Sequence, residues 1–327
     1  MENILNVCYV GDECYVPIIA VSITSLFENN LDKDAIVVYV LAVKKFSEQI
    51  CNKLNDLASR YHRKITIIML EEYIQRIEKT AIANQFFIGA YGRIFIGDVL
   101  PTTVSNLLYL DGDTIVSDSL SIEELFDGDF LVKAVKDVWF NSYNKIIGLD
   151  EKDFYYNSGV LAVNLERWRK ERCGERLETH IKKLEKPYRF NDQDIINIVL
   201  KEYIKPLQLK YNMLYITRMY SIKQIYWYTE KNQTTFYCEK EIDEAKQKPV
   251  IYHFAGGLLG KPWYKKSLDK DAEIWRCYKR KCREFDCPLY VQKYRNIKSR
   301  IKRFLLCIMP PNILPYFDKM ISKGKYK

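Results

Sequence analysis

The sequence predicts an α/β protein built on a Rossmann-like, mostly parallel sheet with helices on both faces. Strand-like and helical segments alternate through the first part of the chain, which is typical of parallel strands joined by crossover helices. Several strand candidates are continuous apolar runs, as expected for strands buried on both faces. The 327 residues, just under half of them hydrophobic, suffice for one large α/β domain with an appendage.

The elements follow in order along the chain. A first strand, NILNVCYV, precedes a helix over VPIIAVSITSLFENN, and then come a strand at 36–43, a helix at 46–61 and a strand at 64–70. A short helix at 90–99 stops near Pro101. The remaining candidates are strands at 107–110, 130–137, 157–165 and 248–254, and helices at 166–183 and 192–203.

Two aspartates follow the apolar run LLYL in LYLDGDTIV. Ligands of open α/β sheets bind beyond the carboxyl ends of the strands, so Asp111 and Asp113 should project into a crevice. Their carboxylates repel each other unless a cation lies between them, and hard oxygen ligands favour Mg2+ or Mn2+, ions that bridge substrate phosphates. A solvated loop is the alternative for an Asp-x-Asp pair, and its place directly after a strand favours the metal site.

The net charge of +9 is concentrated at the C-terminus. Residues 290–327 contain ten Lys or Arg and one acid, and the other 289 residues are neutral overall. This distribution argues against a nucleic-acid binder and for a tail that meets an anionic surface. Within 290–309, an apolar stripe of Ile297, Ile301, Leu305 and Ile308 recurs at helical spacing among basic residues, which predicts a membrane-associating helix. A helix packed on the catalytic body is the alternative.

No secretory leader or membrane-spanning run is recognised, and the nine cysteines are irregularly spaced. Reduced thiols in a cytosolic protein fit this pattern better than a disulfide framework. We therefore expect a cytoplasmic protein that is peripheral on the inner face of the cell membrane. The predicted division is a catalytic domain at 1–275 and a basic amphipathic extension at 276–327.

Seven segments in a fixed order resemble glycosyltransferase family 8, the retaining enzymes that include bacterial lipopolysaccharide galactosyl- and glucosyltransferases. The segments are VGDECYVPIIAVSITSL, AYGRIFIGDVLP, LLYLDGDTIVSDSLSIEELF, YYNSGVLAVNLERWR, FNDQDIIN, YN near 212 and HFAGGLLGKPW. The resemblance implies a GT-A fold, a UDP-sugar donor and Mn2+, with Mg2+ as an alternative. It also implies that His253 is the third protein ligand beside Asp111 and Asp113.

The resemblance also implies residues that contact the donor. Asp12 would accept the uracil imide proton, with a turn aspartate as the alternative. Arg93 would face the donor sugar or its diphosphate, with a salt-bridged helix arginine as the alternative. Lys261 would contact the diphosphate, although the spacer GGLLG before it is longer than is usual in the family. The remaining implied donor contacts are Val10, Gly112, Asp137, Asn157 and Gly256, and Gly256 would allow close backbone approach.

Gln193 and Asp192 are the implied catalytic residues. Gln193 matches the position on the face of the donor sugar opposite the leaving UDP, where a carboxylate could act as a covalent nucleophile. Because an amide is a poor nucleophile, we expect front-face displacement with retention, stabilised by the departing diphosphate and the metal. Asp192 and Asp194 keep a double displacement open, and capping of the following helix is their alternative role.

The predicted function is Mn2+-dependent transfer of a hexose from UDP-glucose or UDP-galactose to a saccharide or glycolipid acceptor, such as a lipopolysaccharide-core sugar. A self-glucosylating, glycogenin-like enzyme is one alternative. A non-catalytic sugar-nucleotide-binding protein is another. No nucleic-acid partner is expected.

Overall fold

The computed structural model describes residues 4–80, 88–256, 259–286, 288–291, 297–310 and 312–323. The strands are β1 (Ile4–Gly11), β2 (Ala35–Ala42), β3 (Lys64–Met69), β4 (Asn106–Leu110), β5 (Thr114–Val116), β6 (Val132–Lys136), β7 (Tyr156–Asn164), β8 (Ile204–Pro206) and β9 (Ile251–His253). The first helices are α1 (Val16–Glu28), α2 (Glu48–Arg60), α3 (Glu71–Glu78), α4 (Ile96–Val99), α5 (Ile122–Phe126), α6 (Tyr143–Ile146), α7 (Leu165–Lys170) and α8 (Cys173–Lys182). The later helices are α9 (Asn191–Val199), α10 (Tyr215–Met219), α11 (Ile222–Thr229), α12 (Glu239–Gln247), α13 (Ala272–Lys281), α14 (Ile297–Ile308) and α15 (Leu314–Lys323). Short 3-10 helices cover Ile88–Phe95, Lys201–Tyr203 and Leu209–Tyr211.

The central sheet has seven strands in the order β3-β2-β1-β4-β7-β6-β8. β3, β2, β1 and β4 are parallel, whereas β7 is antiparallel to both of its neighbours, β4 and β6. β8 pairs with β6 in parallel. The predicted mixed, mostly parallel sheet is therefore confirmed.

Successive side chains of β1 enter different apolar clusters on the two faces of the sheet. Val7 and Tyr9 belong to the cluster that contains α1, while Cys8 belongs to the cluster that contains Trp168. This alternation follows from the period of two along a strand. The two clusters explain why the parallel strands are continuous apolar runs, because both faces are covered.

A second, two-stranded sheet pairs β5 with β9 in antiparallel register. Thr114 lies opposite His253 in this register, so the histidine is carried to the strand that begins directly after Asp113. A parallel bridge from Met213 to Tyr252 adds the segment before α10 to the same edge. These pairings bring together residues that lie far apart in sequence.

Some predicted helices are divided differently in the structure. The predicted helix at 166–183 is two helices, α7 and α8, separated at Arg172, whose φ of 52° ends the first one. The predicted helix at 192–203 ends at Val199 and continues as a 3-10 turn.

The predicted domain boundary at 275/276 falls inside α13, where Trp275 is fully buried. α15 packs against α11 of the body. Within the described ranges, no helix combines the length and apolar character needed to cross a bilayer.

Candidate active site

The two aspartates lie at the end of a buried strand, as predicted. β4 ends at Leu110, and the backbone N–H of Asp111 donates to the carbonyl oxygen of Gly159 (2.8 Å) on the antiparallel neighbour β7. The hydroxyl of Tyr109 donates to Asp111 Oδ1 (2.9 Å). Both carboxylates therefore emerge at one edge of the sheet in fixed directions.

His253 completes a cluster with these carboxylates. Its Nε2 lies 3.3 Å from Asp113 Oδ1 and 3.8 Å from Asp111 Oδ2. One ligand atom from each of the three residues lies within 4.8 Å of the others. His253 is nearly fully buried. The register of the β5–β9 ribbon produces this arrangement.

Asn212 fixes the orientation of the histidine ring. Its Oδ1 lies 2.8 Å from His253 Nδ1, and its Nδ2 donates to Asn157 Oδ1 (2.8 Å). An amide oxygen accepts only, so Nδ1 carries a proton in this contact and Nε2 is the ring nitrogen that faces the carboxylates. Hydrogen bonds of this kind orient metal-binding histidines.

Gly159 provides the space that the ring needs. A Cβ at this position would lie 2.2 Å from His253 Cε1 and 2.8 Å from Asp111 Oδ2. Because Gly159 sits in a buried strand, the histidine and the carboxylate could not both keep their places beside a larger residue. The cluster thus requires a residue without a side chain at position 159.

The cluster fits a divalent cation. Octahedral ligands about 2.1 Å from an ion lie about 3.0 Å apart when they are adjacent, close to the separation of 3.3 Å between His253 Nε2 and Asp113 Oδ1. An imidazole beside two carboxylates favours Mn2+ over Mg2+, because Mg2+ prefers oxygen ligands alone. Asp111, Asp113 and His253 could therefore hold the ion that the sequence predicts.

Lys261 lies beside the cluster. Its Nζ is 2.6 Å from Asp113 Oδ2 and donates to the carbonyl oxygen of Phe254 (2.7 Å). Burial opposes ionisation of Asp113, but the Lys261 ammonium and the His253 imidazole outweigh it and hold the pKa of this carboxyl well below its ordinary value. Asp113 is consequently an anion and a ready cation ligand. Gly257 and Leu258 of the longer spacer lie outside the described residues.

Arg93 joins Asp111 to Asp192. Its guanidinium is buried and contacts Asp111 Oδ1 and Asp192 Oδ2, each at 2.9 Å. Burial disfavours the cation, but the two carboxylates more than compensate and raise the pKa of Arg93 above its ordinary value. Burial raises the pKa of Asp192 to about 6, against the opposing effect of Arg93. The ion-paired alternative for Arg93 is thus what the structure contains.

The Gln193 amide is held on both sides. Its Oε1 accepts from Asn157 Nδ2 (3.1 Å) and from the backbone N–H of Ser158 (3.0 Å). Its Nε2 donates to the Tyr155 hydroxyl (3.0 Å) and to Asp137 Oδ2 (3.3 Å). These contacts fix which end of the amide is oxygen and which is nitrogen.

Asp194 is enclosed behind Gln193. Its carboxylate accepts from the hydroxyls of Tyr155 (2.5 Å) and Tyr143 (2.7 Å) and from the backbone N–H of Phe190 (2.9 Å). Phe190 precedes α9, so Asp194 takes the helix-start role that was the alternative for these aspartates. Asp192 instead forms the ion pair with Arg93.

A cavity of about 560 Å³ joins the cluster to Gln193. It is lined by Asp111, Asp113, Asp137, Val138, Trp139, Asn157, Arg189, Phe190, Gln193, Leu214, Tyr215, Ile216, Tyr228, His253, Ala255, Gly256, Lys261, Asp318, Ile321 and Ser322. Eight of the residues predicted from sequence therefore share one space: the three cluster residues with Asp137, Asn157, Gln193, Gly256 and Lys261.

The other predicted residues are not part of the described lining: Val10, Asp12, Arg93, Gly112 and Asp192. Asp12 is exposed and its Oδ1 accepts from the backbone N–H of Tyr15 (2.9 Å), which stabilises the turn into α1. A Cβ on Gly112 would lie 2.7 Å from Ile19 and Tyr15, so the residue allows close packing against α1. The donor contacts expected of these residues remain predictions.

The model of glycosyl transferase family 8 matches residues 6–267, most of the chain. The chain belongs to glycosyltransferase family 8. The match ends between β9 and α13, so α13, α14 and α15 lie outside the family segment.

Two family members from Escherichia coli are related along most of their length. A lipopolysaccharide 1,2-glucosyltransferase is 28% identical over 283 residues, which cover 83% of this chain and 76% of that protein. A second protein of the same description, from strain K12, is 25% identical over 308 residues, which cover 92% and 86% respectively. The chain is thus related to lipopolysaccharide glycosyltransferases.

A solved structure supports the fold. The galactosyltransferase LgtC, in complex with donor and acceptor sugar analogues, superimposes with a TM-score of 0.67 at 20% identity, covering 91% of this chain and all of that one. At this identity the likeness concerns the fold alone. It confirms the predicted GT-A architecture.

Sequence reasoning assigned no role to several residues of this family 8 site. Asn212 lies in the YN pair that contributed to the resemblance, and Gly159 lies in NSG, but neither motif states its contact. Trp139 and Tyr228 also line the cavity, and neither lies in one of the segments that resemble the family. Three residues of the C-terminal helix also line it, which the charge pattern of the tail did not indicate.

Proposed function

We propose that this family 8 member transfers a hexose from UDP-glucose or UDP-galactose to a saccharide hydroxyl with retention of configuration, using Mn2+ or, alternatively, Mg2+. The observation that carries the proposal is the cluster of Asp111, Asp113 and His253 in the same cavity as Gln193. In a nucleotide-sugar transferase, a cation site would serve the diphosphate of the donor, and an amide fixed by hydrogen bonds would serve its sugar.

The metal half of the cavity would bind the nucleotide diphosphate. A divalent cation held by the three ligands would neutralise the charge that develops on the leaving UDP. Lys261 adds a second cation, since its ammonium reaches the same carboxylate. Gly256 has a φ of 81°, which places a residue without a side chain at the turn beside this half.

Front-face displacement is the mechanism we favour. Gln193 is neutral, and its carbonyl oxygen, the better nucleophile of the amide, already accepts three hydrogen bonds. Asp194 has both carboxylate oxygens engaged and is not in the described lining. Asp192 is tied to Arg93 behind the metal ligands. Retention then comes from attack of the acceptor on the face that UDP leaves.

The acceptor we propose is a lipopolysaccharide-core or other cell-surface glycan, because the relatives are lipopolysaccharide glucosyltransferases. Self-glucosylation is less supported. The described lining contains Tyr215 and Tyr228, and the hydroxyl of Tyr215 donates to Asp318 (2.6 Å). The Tyr228 hydroxyl contacts Ser322 (3.3 Å). A tyrosine acceptor would have to leave these partners.

The C-terminal extension would attach the enzyme to the inner face of the membrane. Ile297, Ile301, Leu305 and Ile308 are 64%, 53%, 38% and 61% exposed, so the apolar stripe lies at the protein surface. The charge of +9 at the C-terminus suits an anionic bilayer.

Not all of the tail's basic residues can serve this contact. Arg303 is buried, and its guanidinium donates to the backbone oxygens of Leu259 (2.8 Å) and Lys266. Lys319 and Lys323 pair with Glu230 of the body. The tail is therefore partly packed on the body and partly exposed, and membrane contact of the exposed stripe is our proposal. Residues 324–327, which carry the last two lysines, lie outside the described residues.

A donor-hydrolysis assay tests the proposed function. Purified protein is incubated with UDP-glucose or UDP-galactose after chelation and readdition of Mn2+ or Mg2+, and UDP release is measured with and without a panel of soluble saccharides. Asp113→Asn should abolish metal-dependent turnover. Asp127→Asn removes an exposed acid outside the described lining and serves as the control. Wild-type protein that binds UDP-sugars without turning them over would support the non-catalytic alternative instead.

A further inference from the structure

The C-terminal helix α15 reaches the cavity although it lies outside the segment that matches the family. Asp318, Ile321 and Ser322 line the same space as the metal ligands and Gln193. The family match ends at residue 267, and α15 starts at Leu314. This part of the wall is therefore supplied by a segment that the family model does not include.

Asp318 ties α15 to the wall from inside. It is 1% exposed, and its Oδ2 accepts from the hydroxyls of Tyr215 (2.6 Å) and Tyr220 (2.7 Å). Its Oδ1 accepts from the Ser322 hydroxyl one turn later (3.3 Å). A buried carboxylate is costly unless it is fully hydrogen-bonded, so these partners define the position of the helix.

Further contacts hold α15 in one orientation. The Lys319 ammonium donates to the backbone oxygen of Trp227, and the Tyr316 ring packs on the Trp227 ring at 4.6 Å between centroids. Met320 is 62% exposed, whereas the next residue, Ile321, lines the cavity. The helix thus presents one face to the cavity and another to the surface.

The wall that α15 completes contains the aromatic residues Trp139, Phe190, Tyr215 and Tyr228, and the Arg189 guanidinium lies 5.0 Å from the centroid of the Trp139 ring. Trp139 packs against Phe190 and Phe140 (each 4.8 Å between centroids), and Phe140 packs against Tyr228 (5.1 Å). Tyr228 continues to Tyr220 (5.8 Å). Flat rings offer apolar faces to the C–H surfaces of a pyranose, and a few polar groups fix its orientation. This is the composition expected for a sugar-binding subsite.

The metal cluster and Lys261 would bind the donor diphosphate, and Asp12, the implied contact of the uracil, is outside the described lining, so we assign the aromatic wall to the acceptor. Tyr215 connects the two halves, because its Cε1 would lie 3.6 Å from a Cβ on Gly256, while its hydroxyl reaches Asp318. A shift of α15 would therefore move a ring that borders the donor turn.

We propose that α15 forms part of the acceptor subsite, that Ile321 and Ser322 face the acceptor saccharide, and that Asp318 is the positioning residue that holds this wall. The proposal rests on the proposed transferase function. Acceptor choice is then set in part by a segment outside the family match. A truncation before Tyr290 removes this wall as well as the membrane-facing stripe, so it cannot separate attachment from catalysis.

Adjacent residues of α15 supply a matched pair of variants. Ile321→Trp places a large ring in the acceptor half, and Met320→Trp makes the same addition on the exposed face. For both variants we measure donor hydrolysis, and we measure transfer to a soluble saccharide that the acceptor panel has identified. Ile321→Trp should lower the ratio of transfer to hydrolysis by at least about tenfold through the acceptor KM. Met320→Trp should keep the wild-type ratio.

Asp318→Asn tests the positioning role with little change of volume. The acceptor KM should rise more than kcat falls, and Asp318→Glu should recover part of the loss. Thermal unfolding establishes that each variant is folded.

An unchanged acceptor KM in folded Ile321→Trp, with donor hydrolysis intact, would overturn the acceptor wall alone. Absence of donor hydrolysis in the wild type would overturn the transferase function on which the proposal rests.

Discussion

Asn212 is the residue through which the orientation of the proposed metal-binding cluster can be tested. It is fully buried and joins His253 to Asn157 by two contacts of 2.8 Å. In Asn212→Leu the imidazole loses the acceptor that holds its proton on Nδ1, while the three proposed metal ligands stay in the sequence. The variant thus changes the direction of one ligand and leaves the ligand set intact.

The expected loss follows from the two contacts. Removing a hydrogen bond that orients a histidine ligand lowers metal affinity by about tenfold to hundredfold, or about 1.4 to 2.7 kcal/mol. Two buried polar groups, His253 Nδ1–H and Asn157 Oδ1, also lose a hydrogen-bond partner. Each loss lowers the free energy of unfolding by about 1 to 3 kcal/mol. Asn157 Oδ1 still accepts from the backbone N–H of Gly159 (3.0 Å), so its share lies at the low end.

The assay is calorimetric titration of Mn2+ in the presence of UDP, with thermal unfolding measured in parallel. Asn144→Leu is the control, because Asn144 is a buried asparagine whose Nδ2 donates to the backbone oxygens of Asp150 and Asp153, outside the described lining. The control should lose stability but keep its Mn2+ affinity. If Asn212→Leu, once shown to be folded, bound Mn2+ as tightly as the wild type, the proposed orientation of the histidine would be refuted.

Three further perturbations address other parts of the molecule. Gly159→Ala should displace the His253 ring, because the new Cβ would lie 2.2 Å from Cε1, and Mn2+ titration should show a loss of affinity. Gly128→Ala, which is strained at its φ of 73° but lies outside the described lining, should lose stability and keep the Mn2+ affinity. Burial lowers the pKa of Lys231 from 10.5 to about 8, so the unfolded chain binds more protons between these values and wild-type stability gains from rising pH. Lys231→Met removes the titrating group, so the free energy of unfolding of the variant minus that of the wild type should fall by up to about 3 kcal/mol between pH 7 and pH 10.5. Denaturant unfolding at a series of pH values measures this difference, and a constant difference would contradict the prediction. Ile301→Asp with Ile308→Asp should abolish co-sedimentation with anionic vesicles, and equal sedimentation of variant and wild type would show that the stripe makes no membrane contact.

The sequence by itself determined the fold class and two of the three residues of the proposed metal-binding cluster. The apolar run before Asp111 is the local pattern of a buried strand, and ligands bind beyond the carboxyl ends of such strands, so the position of both aspartates could be predicted. The alternation of strands and helices fixed the parallel part of the sheet for the same local reason.

Motif resemblance added His253, Lys261, Asn157 and Gln193, and the structure brings all four to one cavity. Resemblance gave no contacts within the protein, however. It implied a donor contact for Arg93 but not the ion pairs with Asp111 and Asp192, and that donor contact remains a prediction.

Only the tertiary structure decided how distant segments meet. The register of β5 with β9 sets His253 against the aspartates, and the antiparallel direction of β7 places Gly159 beneath the ring. Neither pairing follows from local periodicity, because the paired residues are 50 or more positions apart in β4–β7 and more than 130 positions apart in β5–β9. The tail shows the same limit. Its composition predicted a basic amphipathic helix, but whether a face is exposed or packed depends on the surface that it contacts. In the structure, Asp318 accepts hydrogen bonds from Tyr215 and Tyr220 and becomes part of the cavity wall.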